Sequence, residues 1–462
     1  MDTWNDISQL NPTLLCATSG DTRFSSPPQL TAKMKSWHPI PTASCFSLAN
    51  IPFGIISTPK HPLHRPAVAI GEHVLDMSVF AGQGGLANLG EFPKEKMGVF
   101  FEQTLNSFAS LGRPVHRLVR NYIRDVFRED TSYPEVLKTN DALKQAALIP
   151  LSEVQMHLPL AIGDYTDFFA GRNHAHNVGT LFRGAANSLQ PNYNHIPVAY
   201  NGRSSSVVVS GTPLHRPWGQ ALLVPTNHVP TFRPSAKLDF ELEMGMFLCR
   251  SNALGQHIPV DEAGDYIFGF VLLNDWSARD IQLWEYVPLG PFNAKNFGTS
   301  ISPWVVLADA LEPFRSHGLP NEVDLQSYLR ETKKENVFDI NLELSIRTAK
   351  GASTTMTRTS SKYLLWSWPQ MIAHHTVSGC NLQVGDLLGS GTISGFDSGT
   401  YGSMLEQTKG GKTPLLFEDG EERTFLDDGD TVVITGWTAT TDGDVVGFGE
   451  CSGQILAPLP QK

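Results

Sequence analysis

No apolar run in this chain approaches the about 18 residues that a membrane-crossing helix needs; the longest is about seven, around Ile267 to Leu273. The N-terminus also lacks a basic segment followed by an apolar one, so the pattern predicts a protein that neither spans a membrane nor is exported. Cysteine is sparse. Cys16, Cys45, Cys249, Cys380 and Cys451 are odd in number and lack CxxC spacing, which argues against a disulfide framework or a zinc knot and for a reducing cytoplasm. Positive charge is short as well: 35 Lys and Arg against 46 Asp and Glu leave −11. The clustered cations that neutralise phosphates are therefore missing, and neither nucleic acid nor a membrane surface is an expected partner.

Glycine and proline are plentiful, at 40 and 31 of 462 residues, while 41% of the chain is hydrophobic and 18% charged. This describes a globular, turn-rich chain, mainly β with some α, long enough for roughly two to four domains. Residues 1–36 are polar and aperiodic and read as an extension without chemistry of its own. Phe53–Ile56, Ala67–Ile70 and Val74–Leu75, separated by Pro and Gly, predict a small β-unit. After Pro114, Val115, Leu118, Val119, Tyr122, Ile123, Val126 and Phe127 recur at spacings of three and four, which predicts a helix with one face in the core. Val154, Met156 and Leu158 alternate like a strand, and Pro159 with Gly163 marks a boundary, dividing 37–159 from a catalytic domain over 160–462. Further strands are expected at Val207–Val209, Leu238–Phe247, Ile267–Leu273, Thr431–Ile434 and Val445–Phe448.

Several chemistries are excluded. Gly411-Lys412-Thr413 lacks the glycine a phosphate loop needs five positions earlier, where Glu406 stands, and HExxH and GxSxG are absent. The run Gly389–Gly395 resembles a backbone cradle for an anion, although such a run is more often a turn. Asp239, Glu241 and Glu243 fall at i, i+2 and i+4 of a strand pattern and so share a face, either a solvated outer face or a site whose mutual repulsion a hard divalent cation relieves. Asp275 stands where a helical pattern begins, as an N-cap or as part of a face shared with Arg279, Gln282 and Tyr286 at i+4, i+7 and i+11. Pro288 and Gly290 end that helix, leaving Lys295 in a loop. Upstream, His174 follows Asp167 by seven residues and Arg183 comes nine later; a histidine alone would signify little.

Together these residues sit in motifs that carry a family likeness. Gly163-Asp-Tyr-Thr-Asp-Phe168, His174 with Asn177-Val-Gly179, Phe182-Arg-Gly184, Val207 to Pro213, Glu241-Leu-Glu243, Asn274 to Gln282, Trp284 to Pro291, Ser390 to Gly395 and Gly402 to Glu406 resemble the fumarylacetoacetases of the fumarylacetoacetate hydrolase family, over roughly 44–458. The resemblance implies a small SH3-like N-terminal barrel, a larger C-terminal β-roll and a homodimer. It implies hydrolysis of a carbon–carbon bond in a dianionic diketo acid, 4-fumarylacetoacetate, to fumarate and acetoacetate, the last step of tyrosine and phenylalanine breakdown. Carried over position by position, Asp167, Glu241, Glu243 and Asp275 match ligands of Ca²⁺ or Mg²⁺, with Lys295 and Thr299 beside the metal. His174 and Glu406 match the base and its orienting carboxylate, and Arg279, Gln282 and Lys295 the stabilisers of a developing oxyanion. Phe169, Arg183, Tyr200, Gln282, Tyr286 and Thr392 match substrate-binding positions.

The recognition side departs from the pattern. Phe169 stands where animal members carry a tyrosine that touches substrate, Ala199-Tyr200-Asn201-Gly202-Arg203 replaces the usual Gly-Tyr-His-Gly-Arg, and His176 occupies a position usually small or aromatic. A hydrolase, decarboxylase or isomerase of the same superfamily acting on a related acyl diketone or oxo acid is the alternative. A non-enzymatic calcium module would need the four carboxylates but would have no use for His174 or the Arg279–Tyr286 segment.

Overall fold

The computed structural model describes residues 34–223 and 228–461, so the extension read over 1–36 lies outside the described residues except for 34–36. Among the described residues the expected β-unit is a five-stranded sheet, ordered Leu148–Pro150, His73–Asp76, His61–Ile70, Phe53–Thr58, Gln155–His157. The helix read from its apolar stripe runs Arg113–Phe127, with Pro114 in its first turn, where a missing N–H loses nothing, and Val119, Tyr122, Ile123, Val126 and Phe127 buried. No described helix is long and apolar enough to cross a membrane.

That helix packs against the strand that carries Phe268. Phe108 and His116 lie against Phe268, the latter two with ring centroids 4.9 Å apart, and a fully buried Phe stabilises by about 1.5–3 kcal/mol. Arg113 adds hydrogen bonds to the Gly264 carbonyl (3.1 Å), Asp309 (3.1 Å) and Glu312 (3.0 Å), and Arg117 two to Asp309 (2.9 and 2.7 Å). One apolar core therefore runs from Phe53 and Phe108 through to Phe268, Val271 and Leu273.

Phe268 belongs to the strand Ile267–Asp275, whose nine residues are all buried. A strand covered on both faces has no polar alternation, which is why this segment reads as an unbroken apolar run. It lies inside an eight-stranded sheet whose main path is Ala199–Asn201, Tyr165–Phe168, Leu387–Gly389, Leu242–Leu248, Ile267–Asp275, Thr299–Ile301, Val207–Val209. A further five-stranded sheet, centred on Asn341–Arg347, Thr431–Ala439 and Val445–Leu456, packs against it: Leu342, Ile434 and Phe448 share a core with Phe270 and Leu272. The chain is mainly β with some α, with the roll-like sheet that the resemblance implies.

Candidate active site and metal centre

The large sheet brings four carboxylates together. Asp167 pairs in register with Tyr200 on one side and Gly389 on the other; Glu243 pairs with Leu273, and Asp275 ends its strand opposite Thr299. Asp167, Glu241, Glu243 and Asp275 are all buried, and each offers an oxygen within 4.8 Å of the others'. The solvated-face reading of Glu241 and Glu243 is thus overturned, because the strand after Glu241 is covered on both faces. Space for the cluster is left by Gly389: a Cβ there would stand 2.6 Å from Asp167 Oδ1 and 3.2 Å from Glu243 Oε2.

These side chains fit a hard cation. Asp167 Oδ1, Glu243 Oε1 and Asp275 Oδ1 are buried with no hydrogen-bond partner, a costly state for a carboxylate unless a positive charge meets it. Burial, and then the neighbouring carboxylates, push Asp167 and Glu243 well above the usual range. Burial also raises Asp275, although Lys295 opposes it. Glu241 is the exception: burial is outweighed by Lys295 and Arg279, which hold it well below. The donors are all oxygens, as Ca²⁺ or Mg²⁺ prefers. Lys295 donates to Glu241 Oε2 and Asp275 Oδ2, so it acts on the carboxylate oxygens of the cluster; an ammonium has no lone pair to offer a metal.

Beside the cluster is a histidine–carboxylate pair. His174 lies on the helix Arg172–Arg183, and its Nδ1 is 2.6 Å from Glu406 Oε2 while Nε2 is 3.6 Å from Glu241 Oε1. Glu406 also accepts from Asn177 (2.9 Å), Ser394 (2.9 Å) and Ser403 (2.8 Å). Burial opposes its charge, but His174 and these hydrogen bonds keep it below the ordinary carboxyl range. Burial alone would depress His174; Glu406 and Glu241 reverse that and raise it to about 9. The arrangement therefore stabilises an imidazolium at this position. Asn177, one helical turn from His174, and Ser403, N-cap of the helix Met404–Gln407, stood in the quoted motifs but were given no role from sequence, although i+3 spacing and Ser-x-x-Glu were there to be read.

The expected helical face around Asp275 needs correction. Asp275 is the last residue of its strand, neither N-cap nor helical; Ser277–Ala278 then pair with Leu238–Asp239, and the helix Arg279–Glu285 begins after Ala278. Lys295 likewise sits in a short helix, Asn293–Asn296, rather than a loop. Arg279 still reaches the site: Nε donates to Asp239 (2.8 Å), Nη1 to Glu241 (2.7 Å) and to Gln282 (3.2 Å), and Nη2 is buried with no partner. The third acid, Asp239, is also buried but turns to Arg279 instead of joining the cluster.

Tyr200 donates to Asp275 Oδ2 (2.8 Å), Thr299 is buried across from Asp275, and Thr392 Oγ1 is a further buried oxygen with no partner. Gly391 N–H donates to Glu243 (3.0 Å), so the anion met by the glycine run is the protein's own carboxylate. Tyr286 caps its helix and approaches the Phe182 ring at 6.3 Å. Arg183 donates instead to the carbonyls of Asn187 (3.0 Å) and Ser188 (2.8 Å). Phe169 stands edge-on to His174 at 5.5 Å, while His176, Ala199 and Asn201 are exposed. Of the departures, Phe169 alone is seen against His174.

Comparison with known proteins agrees over most of the chain. The family model described as fumarylacetoacetate (FAA) hydrolase C-terminal matches residues 165–455, and that described as fumarylacetoacetase N-terminal matches 49–159. The fumarylacetoacetase of Aspergillus fumigatus is 59% identical over 430 residues, covering 92% of this chain and 99% of its own. That of Mus musculus is 45% identical over 427 residues, covering 92% and 99%. Among solved structures, a fumarylacetoacetate hydrolase from Exiguobacterium antarcticum aligns with a TM-score of 0.48 at 15% identity, covering 88% of this chain and 99% of its own.

Proposed function

The chain belongs to the fumarylacetoacetate hydrolase family and is a fumarylacetoacetase-type enzyme, and on that premise we propose that it hydrolyses 4-fumarylacetoacetate to fumarate and acetoacetate with a divalent cation. The observation that carries this reading is the juxtaposition of three partnerless carboxylate oxygens with the His174–Glu406 pair, bridged by Glu241. Asp167, Glu241, Glu243 and Asp275 would hold Ca²⁺ or Mg²⁺, with Lys295 and Thr299 beside it. The cation supplies Lewis acidity toward the oxygens of the diketone.

His174 does the proton work. A cation held by Glu241 would offset one of the two carboxylates that raise His174 and so favour the neutral imidazole, in which Glu406 holds the proton on Nδ1 and Nε2 is left to take one from water as its oxygen adds to the carbonyl carbon. Arg279, through its partnerless Nη2, stabilises the oxyanion together with the Gln282 amide and the Lys295 ammonium. Collapse of that oxyanion breaks the carbon–carbon bond, and the electron pair leaves on the acetoacetate fragment as an enolate. The imidazolium then returns its proton to that carbon. Phe169, Arg183, Tyr200, Gln282, Tyr286 and Thr392 would shape the pocket for the dianion, and the cation and basic side chains would let an acidic protein accept it.

The family models support a division at 159 into an N-terminal and a catalytic domain, since one match ends there and the other starts at 165. A homodimer and a cytoplasmic location for tyrosine and phenylalanine catabolism are part of the same proposal. Exposed Val287, Leu289 and Phe292 offer apolar surface for a second copy. The test is an assay of purified protein with fumarylacetoacetate, with Mg²⁺ or Ca²⁺ and with chelator. Turnover that requires the cation supports the proposal; turnover of another acylpyruvate-type compound alone would move the substrate to the alternative.

A further inference from the structure

Asp239 has no part in the chemistry so far, yet its carboxylate is fully buried and fully used. Oδ1 accepts from the Phe240 N–H (2.8 Å) and the Met404 N–H (2.8 Å); Oδ2 accepts from Arg279 Nε (2.8 Å) and the Leu405 N–H (3.0 Å). The contrast with Asp167, Glu243 and Asp275 is plain, since each of those keeps an oxygen without a partner. Asp239 has no oxygen left for a cation.

Its donors come from two otherwise separate parts of the site. Arg279 opens the helix that carries the oxyanion donors, and Met404 and Leu405 open the short helix that presents Glu406 to His174. Asp239 is itself held at the Arg279 side by pairing of Leu238–Asp239 with Ser277–Ala278. Resting on the function proposed above, we infer that Asp239 is a positioning residue: it clamps the Arg279 guanidinium to the Glu406 helix, so that the oxyanion donor and the proton acceptor are held in one register across the reacting carbon.

The geometry dictates the form of the effect. In Asp239→Asn one oxygen becomes an amide donor and faces either Arg279 Nε and the Leu405 N–H together or the Phe240 and Met404 N–H groups together, so half of the clamp opens without a cavity. A displacement of about 1 Å between catalytic groups can lower turnover about 10²-fold. The experiment measures kcat, KM and direct Mg²⁺ binding by calorimetry for wild type, Asp239→Asn, Arg279→Lys and the double variant. We expect kcat of Asp239→Asn to fall about 10²-fold with KM and Mg²⁺ affinity within about threefold of wild type. The double variant should be within about threefold of Arg279→Lys, because the two residues act as one unit.

Unchanged kcat in folded Asp239→Asn overturns the inference, as does full multiplication of the two single effects. Loss of Mg²⁺ binding in step with kcat would also overturn it, since Asp239 would then act through Glu241. If Asp239→Asn does not fold, Asp239→Glu keeps the charge and shifts the oxygens, and the same expectations apply to it. Arg279→Lys at wild-type kcat would instead refute the role given to Arg279 in the proposed function, and the two failures are read from different variants.

Discussion

His116 and His174 are shielded from water to the same degree, 1% and 2% exposed, and both meet phenylalanine rings: Phe108 and Phe268 for the first, Phe169 for the second. Their proton affinities differ by orders of magnitude. His116, at the seam between the N-terminal helix and the large sheet, shares its Nε2 between the carbonyls of Phe108 and Ala109, and burial lowers it to about 4. His174 has Glu406 and Glu241 against its two nitrogens and is raised to about 9. Seven steps along one strand carry the chain from Phe268 to Asp275, roughly 23 Å, so the two environments are joined by a strand without sharing charges. Burial makes a histidine inert; burial with oriented carboxylates makes it a place to keep a proton.

The hardest way to break this comparison is to remove the proposed base. His174→Ala is expected to lower kcat by about 10² or more while the protein folds and still binds Mg²⁺ by calorimetry, and undiminished turnover would take the base role from it. The seam histidine should register in stability instead. Its folded pKa of about 4 lies below the unfolded value of 6.5, so the unfolded chain binds more protons between those limits. Stability is then undiminished above pH 6.5 and falls as pH drops toward 4, by about 3 kcal/mol at most. Urea unfolding at pH 7 and pH 5 should show the fall in wild type and a shallower one in His116→Gln; parallel slopes would mean that the seam does not titrate.

The carboxylates can be set against each other in the same way. Glu243→Gln should leave the metal-free Tm no lower than wild type, because it removes a repelled, partnerless oxygen. It should also abolish most of the stabilisation by Mg²⁺, which for a ligand at 100 times its Kd is about 2.7 kcal/mol. Glu406→Gln should lower Tm with or without metal, since Asn177, Ser394 and Ser403 lose a charged acceptor. Thermal unfolding in chelator and in excess Mg²⁺ distinguishes the two, and matching behaviour of the variants would erase the distinction. The smallest effect is expected at the ring facing His174: Phe169→Tyr should change KM for fumarylacetoacetate by a few-fold to roughly tenfold with little change in kcat, the worth of one hydroxyl contact of about 0.5–1.5 kcal/mol. A steady-state assay with KM unchanged would place that hydroxyl out of substrate's reach.

Much of the site was legible because its chemistry is local in sequence. Glu241 and Glu243 alternate with Leu242, and the unbroken apolar run to Leu273 marks a strand buried on both faces. The Arg113–Phe127 helix could be read from its stripe for the same reason: a period of 3.6 or 2 is written in consecutive residues. What misled was also local. Asp275 precedes a helical pattern and reads as a cap, but strand pairing with Thr299 carries the extended backbone through it, and pairing of Ser277–Ala278 delays the helix to Arg279.

From the chain alone came the kinds of side chain present, the periodicities that bury them and the family motifs that name a reaction. Which of three alternating acids joins the buried carboxylate cluster was decided only in three dimensions. Asp239 meets donors from residues 279, 404 and 405, whereas Glu243 meets Asp167 across the gap left by Gly389. No local rule carries that difference, because a carboxylate's state depends on how many donors reach it, and those donors arrive from helices 40, 165 and 166 residues along the chain.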